Sequence, residues 1–241
     1  YIHIPLGMGR MHDARMFDWG FETDPEPNLN GRTIEAMRGK VLGGSSSINA
    51  MCYIRGAAEN YDEWEKLGAE GWNWNSALPE FIASENNARG ASALHGASGP
   101  LPVSDNPDPN LLSRVFVEAG TQLQLPHNPD FNGAAQAGVG LYQTTTLNGR
   151  RASTAAAYLR PVESRPNLTR ITGVMARRIL FDGKRASGVE IQIGLGKEII
   201  TASREVLVCG GAINSPQLLM LSGIGPAGHL AGHKIGLVQD L

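Results

Sequence analysis

The sequence of 241 residues is poor in cysteine, in aromatic residues and in long apolar runs. Its two cysteines, Cys52 and Cys209, are too few for a disulfide framework or a cysteine-based metal cluster, and we predict that both are buried thiols beside glycine turns. No stretch approaches the roughly 18 apolar residues of a membrane-spanning helix. Lysine and arginine form no runs and the formal net charge is -2, so a nucleic-acid partner is disfavoured.

The two ends of the chain bear on its cellular location and on whether it is part of a longer protein. It begins at Tyr1 without a charged-then-apolar secretory signal, which favours the cytoplasm, with peripheral association at the inner membrane as the alternative. Its last residues, 238–241, are predicted to form an uncapped β-strand. We therefore expect the chain to be an internal piece of a longer protein.

Two distant segments share one design, in which paired glycines precede small polar residues and then a predicted apolar helix. They are residues 39–49 (GKVLGGSSSIN) and 210–225 (GGAINSPQLLMLSGIG). Glycine lets the backbone approach a ligand closely, and free N–H groups at a helix start attract negative charge. In the second segment we predict Ser215 as the helix cap and Pro216 as the first helical residue. Together the segments indicate a large anionic cofactor.

The rest of the pattern predicts mixed α/β structure. Residues 1–38 are predicted to be an extended surface segment, and the aromatic residues between 61 and 82 to pack a core. Helices are predicted at 111–124 and 153–159, with a third helix that carries Pro79 in its first turn. Strands are predicted at 141–147, 167–172, 176–181, 188–193 and 198–202, with a fully buried strand at 205–209.

Two features that resemble functional motifs are interpreted as structural. The pattern GxGxxG at 223–228 follows a helix rather than a strand, so we predict that it ends that helix. The histidines are predicted to be surface or loop residues, and none is assigned as a catalytic base. They are His3, His12, His95, His127, His229 and His233. No metal site is predicted.

Residues 39–62 resemble the first signature of the glucose-methanol-choline (GMC) oxidoreductases, and residues 211–225 resemble the second. The similarity continues through 72–74, 95–101 and 151–159, so it covers essentially the whole chain. Within the family the sequence is most similar to bacterial choline dehydrogenase and alcohol dehydrogenase members.

The resemblance implies an α/β architecture in which a Rossmann-like FAD-binding domain is interleaved with part of a substrate domain of antiparallel sheet plus helices. The FAD domain would be incomplete, because the N-terminal strand, GxGxxG turn and helix of the family are absent. The expected segments are 1–65 for the FAD domain with its flavin loop, 66–160 for the substrate domain, and 161–241 for the FAD domain again.

The resemblance also implies which residues meet FAD. Some relatives tether the flavin through a histidine at the position of Ile48, so we expect non-covalent FAD here. The isoalloxazine ring is expected near Val41, Gly43, Gly44, Ser45, Asn49, Ala50, Met51 and Cys52. The adenine half is expected near Val174, Ala176, Cys209, Gly210 and Gly211, and Ser215 is also expected to be a cofactor-binding residue.

The implied activity is oxidation of the CH–OH group of choline or another primary alcohol, with hydride transfer to the flavin and oxygen or a quinone as electron acceptor. The family's catalytic histidine and its His or Asn partner would lie outside this chain, so no catalytic residue is assigned within it and the isolated piece is expected to be inactive. Two alternatives stay open. One is an FAD-containing hydroxynitrile lyase of the same family, and the other is a catalytically incomplete fragment that binds only part of FAD.

Overall fold

The computed structural model describes residues 1–241, which divide into two compact units, 1–168 and 169–241. The structure is mixed α/β, as predicted. None of its helices is both long and apolar enough to cross a membrane. The division into segments 1–65, 66–160 and 161–241 stays a prediction.

The first unit contains four α-helices and two short strand pairs. The helices are α1 (Gly7–Asp13), α2 (Ala58–Lys66), α3 (Trp74–Ser84) and α4 (Leu111–Gln122). Strands β1 (Glu85–Asn87) and β2 (Leu101–Val103) pair in parallel, and β3 (Thr146–Leu147) pairs antiparallel with β4 (Arg150–Arg151). Single 3₁₀ turns lie at Pro27–Leu29, Gly44–Ser47 and Arg160–Val162, and a π-helical turn at Ala155–Leu159.

The first 38 residues are more structured than predicted. Helix α1 interrupts the expected extended segment, and its Met11 side chain is fully buried. The glycines of α1 give it little intrinsic helix propensity, so burial of Met11 rather than local sequence stabilises it. Residues 18–39 then form an irregular antiparallel ribbon. Arg15, which precedes the ribbon, forms salt bridges with Glu22 and Glu35 on its two arms.

An aromatic cluster joins α2 to α3, but the prediction that these residues pack a core is only partly right, because Trp64 and Trp72 are exposed. The buried Tyr61 ring lies 5.2 Å from the Trp64 ring, 5.5 Å from Trp74 and 5.7 Å from Phe81. Helix α3 begins one turn earlier than expected, because the Asn73 side chain caps it by accepting the Ser76 N–H at 3.0 Å. The placement of Pro79 in the first turn was therefore wrong: it is the sixth residue of the helix.

Helix α4 confirms the predicted amphipathic pattern, but its apolar side is exposed. Leu112 and Phe116 are 75% and 73% exposed. Leu123, which directly follows the helix, is 79% exposed. Only Gly120 is buried, where an added Cβ would lie 2.9 Å from the Val139 side chain. This apolar side is therefore not part of the core of the first unit.

The substrate-domain segment contains less regular sheet than predicted. Of the strand expected at 141–147, only Thr146–Leu147 pairs as a ladder, and Thr144 makes isolated bridges to Cys52 and Ser104. The helix at 153–159 forms as a π-helical turn followed by a 3₁₀ turn. The turn is hydrogen-bonded locally, since the backbone N–H groups of Ala156 and Ala157 donate to the Ser153 carbonyl at 2.9 and 2.8 Å.

The centre of the first unit is a buried ion pair. Glu85, at the start of β1, has no exposed surface, and its Oε2 atom accepts a hydrogen bond from Arg55 Nη2 at 2.8 Å. The other Arg55 nitrogen, Nη1, donates to the Leu94 carbonyl at 2.7 Å. The guanidinium also lies 5.2 Å from the centre of the Phe81 ring. A buried charge of this kind is tolerable only when a partner compensates it.

Further polar side chains complete this buried network. His95 Nδ1 lies 3.0 Å from Glu85 Oε2, and His95 Nε2 lies 2.9 Å from Asp130 Oδ2. Asn87 Nδ2 donates to Glu85 Oε1 at 2.9 Å, and Asn132 Oδ1 accepts the Arg55 backbone N–H at 2.7 Å. The prediction of a surface or loop position is therefore only partly right for His95, which lies in a loop but is buried.

The second unit is built on the predicted three-stranded meander. Strands β5 (Val174–Asp182), β6 (Arg185–Ile193) and β7 (Gly196–Thr201) pair antiparallel in chain order. Two-residue loops join them, and the first begins at Gly183, where φ is +60°. Helices α5 (Gly211–Leu221) and α6 (Ala227–Gly232) follow, and α5 packs against β5.

Three strand predictions in this part of the chain were wrong. Residues 167–172 and 205–209 form no strand, and 238–241 contribute only a bridge from Gln239 to Ile224. Leu207, expected inside a sheet, is 76% exposed. An apolar run becomes a buried strand only where neighbouring strands supply hydrogen-bond partners, and none of the seven strands lies beside it.

We expect Glu85→Gln to lower the free energy of unfolding by about 3 kcal/mol or more, because it leaves the buried Arg55 guanidinium without its counter-charge. The matched control is Asp105→Asn, which breaks the exposed pair with Arg89 and should cost less than about 1 kcal/mol. Urea unfolding measures both. Equal losses in the two variants would contradict the central role of the buried pair.

Candidate functional site

The first glycine segment folds back on itself through its serines. Gly43 and Gly44 have φ values of +89° and +54°, which glycine adopts without strain. Ser45 Oγ accepts the Gly39 N–H at 3.1 Å, Ser46 Oγ donates to the Gly43 carbonyl at 2.5 Å, and Ser47 Oγ donates to the Leu42 carbonyl at 2.8 Å. Only one 3₁₀ turn follows the glycines, so the predicted apolar helix at this position was wrong. The hydroxyl-to-carbonyl bonds compete with helix continuation.

The buried side chain of Arg151 holds this segment in place through hydrogen bonds. Its side chain is buried, and Nη1 donates to the Asn49 carbonyl at 2.7 Å, to Asn49 Oδ1 at 2.8 Å and to the Ser46 carbonyl at 3.2 Å. Nε donates to the Ile2 carbonyl at 2.9 Å. Burial lowers the pKa of the Arg151 guanidinium, which contacts carbonyl and amide oxygens but no carboxylate.

Thr154 forms a second support for the same loop. Its backbone N–H donates to Ser46 Oγ at 2.9 Å, and its hydroxyl donates to the Gly43 carbonyl at 3.2 Å. Sequence reasoning assigned no role to Arg151 or Thr154. The segment that contains them was noted only as part of the family resemblance. Their partners lie more than 100 positions away in the chain, so no local pattern indicates these contacts.

Among residues 49–52, only Met51 is buried and the other three are exposed. Met51 is 7% exposed and has a φ of +64°, a conformation that is strained for a residue with a side chain. Its N–H donates to Asn49 Oδ1 at 3.0 Å, which supports that conformation. Asn49, Ala50 and Cys52 are exposed. The backbone N–H groups of Gly43, Ala50 and Cys52 donate no hydrogen bond within the chain.

The structure brings the first group of predicted cofactor residues onto one continuous loop. This group is Val41, Gly43, Gly44, Ser45, Asn49, Ala50, Met51 and Cys52, all in the first unit. Val41, Gly43 and Gly44 are partly exposed and Ser45 is exposed. The prediction that Cys52 is buried was wrong. Its side chain faces solvent because Met51 occupies the inward position.

The second group belongs to the second unit. Val174 and Ala176 lie on β5, where Val174 is half-buried and Ala176 exposed. Cys209, Gly210 and Gly211 are exposed at the start of α5, so the burial predicted for Cys209 was also wrong. Cys209 is exposed because the segment before it is not part of a sheet.

The start of α5 differs from the predicted one. Gly210 is the N-cap and Gly211 the first helical residue, with a φ of +83°. Ser215 and Pro216 are therefore the fifth and sixth residues of the helix, not its cap and its first residue. The helix starts earlier because the glycines adopt backbone angles that allow the chain to turn directly into it. Ser215 is half-buried within α5.

The segment 223–228 ends helix α5, as predicted. The helix stops at Leu221, and Gly223 has a φ of +89° with no room for a Cβ against the Gly236 carbonyl. His, Cys, Asp and Glu side chains do not gather in any group of three or more suited to a metal ion.

We expect Arg151→Met to lower the free energy of unfolding by about 2 kcal/mol, because the carbonyls of Ile2, Ser46 and Asn49 lose their donor. The neighbouring exposed arginine is the control. Arg150→Met should change stability by less than about 0.5 kcal/mol in the same urea titration. A similar small effect for both would show that Arg151 does not hold the loop.

Known proteins resemble the chain along its whole length. The GMC oxidoreductase family model matches residues 14–238. The chain is 46% identical over 240 residues to the oxygen-dependent choline dehydrogenase of Sinorhizobium medicae, an alignment that covers 100% of this chain and 44% of that protein. It thus spans less than half the length of that relative.

Solved structures agree with this family. The crystal structure of pyridoxine 4-oxidase from Mesorbium loti matches with a TM-score of 0.92 and 34% identity, over 99% of this chain and 47% of that one. An FAD-dependent oxidoreductase from Chaetomium thermophilum matches with a TM-score of 0.88 and 32% identity, over 94% of this chain and 42% of that one. The chain therefore belongs to the GMC oxidoreductase family.

Proposed function

We propose that this chain forms a large part of the FAD cradle of an enzyme that oxidises the CH–OH group of an alcohol. The observation that carries the proposal is the loop at 41–52, in which unpaired backbone N–H groups are held in place by the buried side chain of Arg151. The loop coincides with the first family signature, and relatives of the chain include a choline dehydrogenase and an FAD-dependent oxidoreductase.

The residues of this loop suit the isoalloxazine ring of FAD. A Cβ added at Gly44 would meet no atom within 4 Å, so that backbone is open to a flat ligand. The N–H groups of Gly43, Ala50 and Cys52 would donate to the ring, and such donors stabilise the negative charge of a reduced flavin. FAD, when bound, supplies the acceptor for a hydride from the alcohol carbon. Val41, Ser45, Asn49 and Met51 would complete the contact surface.

The second glycine segment suits the other half of the cofactor. Gly211 combines a φ of +83° with open space around its Cα, and the following helix α5 presents free N–H groups at its start. We propose that the backbone of Val174, Ala176, Cys209, Gly210 and Gly211 contacts the adenine half. Ser215, inside α5, is proposed as a secondary contact.

We propose that the FAD is bound without a covalent link. Ile48 occupies the position where some family members have a tethering histidine, and its side chain is buried and carries no nucleophile. Acid precipitation of the full-length protein should therefore release all of the flavin into the supernatant. Flavin that stays with the precipitate would contradict the proposal.

We propose choline as the first substrate to test and other primary alcohols next, with oxygen or a quinone as the electron acceptor. The proton of the alcohol needs a base. Among the six histidines of the chain, His95 is committed to a buried network between two carboxylates. We therefore propose that the base lies outside these 241 residues.

The decisive experiment uses the full-length gene product. We expect a flavin absorption band that bleaches when choline or another primary alcohol is added without oxygen. Colourless protein that FAD cannot reconstitute would contradict the proposal. Release of cyanide from a cyanohydrin without bleaching would indicate a hydroxynitrile lyase instead.

A glycine substitution tests the loop itself. Gly43→Ala should reduce FAD occupancy at least about tenfold, because the new Cβ would lie 2.6 Å from Ser47 Oγ at a φ of +89°. The control is Gly9→Ala in α1, where a Cβ meets no atom within 4 Å and should leave occupancy unchanged. Flavin content per protein, measured after gel filtration, compares the two. Equal occupancy would exclude this loop as the flavin contact.

A further inference from the structure

A cavity of the first unit is lined in part by basic side chains. It has a volume of about 370 Å³, within the range typical of small-molecule sites. Four of its lining residues are basic, His3, Arg150, Arg151 and Arg160, and none is acidic. The remaining lining residues are apolar or uncharged. The cavity therefore has the charge of a site for an anion.

Arg151 contributes a buried charge without a counter-ion. The residue is 2% exposed, and all of its hydrogen-bond acceptors are carbonyl or amide oxygens. Its Nη2 atom is buried and has no hydrogen-bond partner at all. A buried guanidinium without a carboxylate is unfavourable, so a negative charge in the adjacent cavity would be bound favourably.

Arg150 and Arg160 add two more cations from separate elements, β4 and the 3₁₀ turn Arg160–Val162. Other arginines of this unit are paired with acids: Arg15 with Glu22 and Glu35, Arg55 with Glu85, and Arg89 with Asp105. Arg150 and Arg160 are not among these pairs, and both are exposed. Burial and then the charges of Arg150 and Arg160 lower the pKa of His3, as expected in a positive potential.

We propose that this cavity binds a tetrahedral oxyanion of the sulfate or phosphate type. Guanidinium groups donate two parallel hydrogen bonds to such oxygens, and several cations around one cavity favour a divalent anion over a monovalent one. The site is distinct from the loop proposed for the flavin. It is connected to that loop, because Arg151 lines the cavity and bonds Ser46 and Asn49.

Isothermal titration calorimetry of the full-length protein with sodium sulfate tests the site, with sodium chloride holding the ionic strength constant. Sulfate stays divalent across neutral pH, so its own ionisation does not affect the result. We expect one saturable site per chain. Arg150→Gln and Arg160→Gln should each weaken binding about tenfold, the loss expected for one charge-assisted contact.

The control variant is Arg114→Gln, which removes an exposed arginine of α4 that does not line the cavity. It should change the affinity less than about twofold. Inorganic phosphate should bind like sulfate, and acetate should bind more weakly. Tighter binding of glycerol 3-phosphate would identify a phosphate ester as the ligand, and equal binding would identify the inorganic anion.

Absence of saturable sulfate binding would overturn the proposal. Equal weakening by Arg114→Gln would do the same, because it would show a general charge effect. Circular dichroism and urea unfolding accompany each variant. Because Arg150 and Arg160 are exposed, both substitutions should leave the fold unchanged.

Discussion

The buried ion pair between Arg55 and Glu85 is the constraint on which the first unit depends. Neither side chain is exposed to water, so each charge is tolerable only while the other is in place. Arg55 follows the glycine loop, whereas Glu85 begins β1 after helix α3. Through His95, Asn87 and Asn132 the pair also fixes the segments near residues 94–96, 130–132 and 143. Much of the unit lacks regular secondary structure, so its loops depend on this hydrogen-bonded network to hold them in one conformation.

The buried network and Arg151 hold the loop at residues 41–52 from its two ends. Arg55 anchors the backbone just after Cys52, and Arg151 anchors it at Ser46 and Asn49. Between these anchors lie the strained Met51 and the glycines with positive φ. Such a loop keeps its N–H groups in position before any ligand arrives, which reduces the ordering cost of binding. The same Arg151 also connects the loop to the basic cavity.

Periodicity and turn glycines predicted a good part of the fold. Helix α4, the meander of β5 to β7 and the end of α5 follow from apolar spacing or glycines, whereas the Asn73 cap that sets the start of α3 is evident only in the structure. Two of the failures share one cause, which is that the deciding partner is distant in sequence. Met11 stabilises α1 by burial, and the run at 205–209 has no neighbouring strand to pair with. The glycine loop was found because its residues are contiguous. Arg151 was missed because its contacts with the loop span 102 positions.

The central claim is that residues 41–52 are a preformed contact surface for the isoalloxazine ring. A crystal structure of the full-length protein with FAD tests it most directly. The account predicts that the backbone N–H groups of Ala50 and Cys52 lie within hydrogen-bond distance of the ring, with the Arg151 bonds to Ser46 and Asn49 intact. A flavin bound away from residues 41–52, or a loop that has lost its Arg151 contacts, would contradict the account.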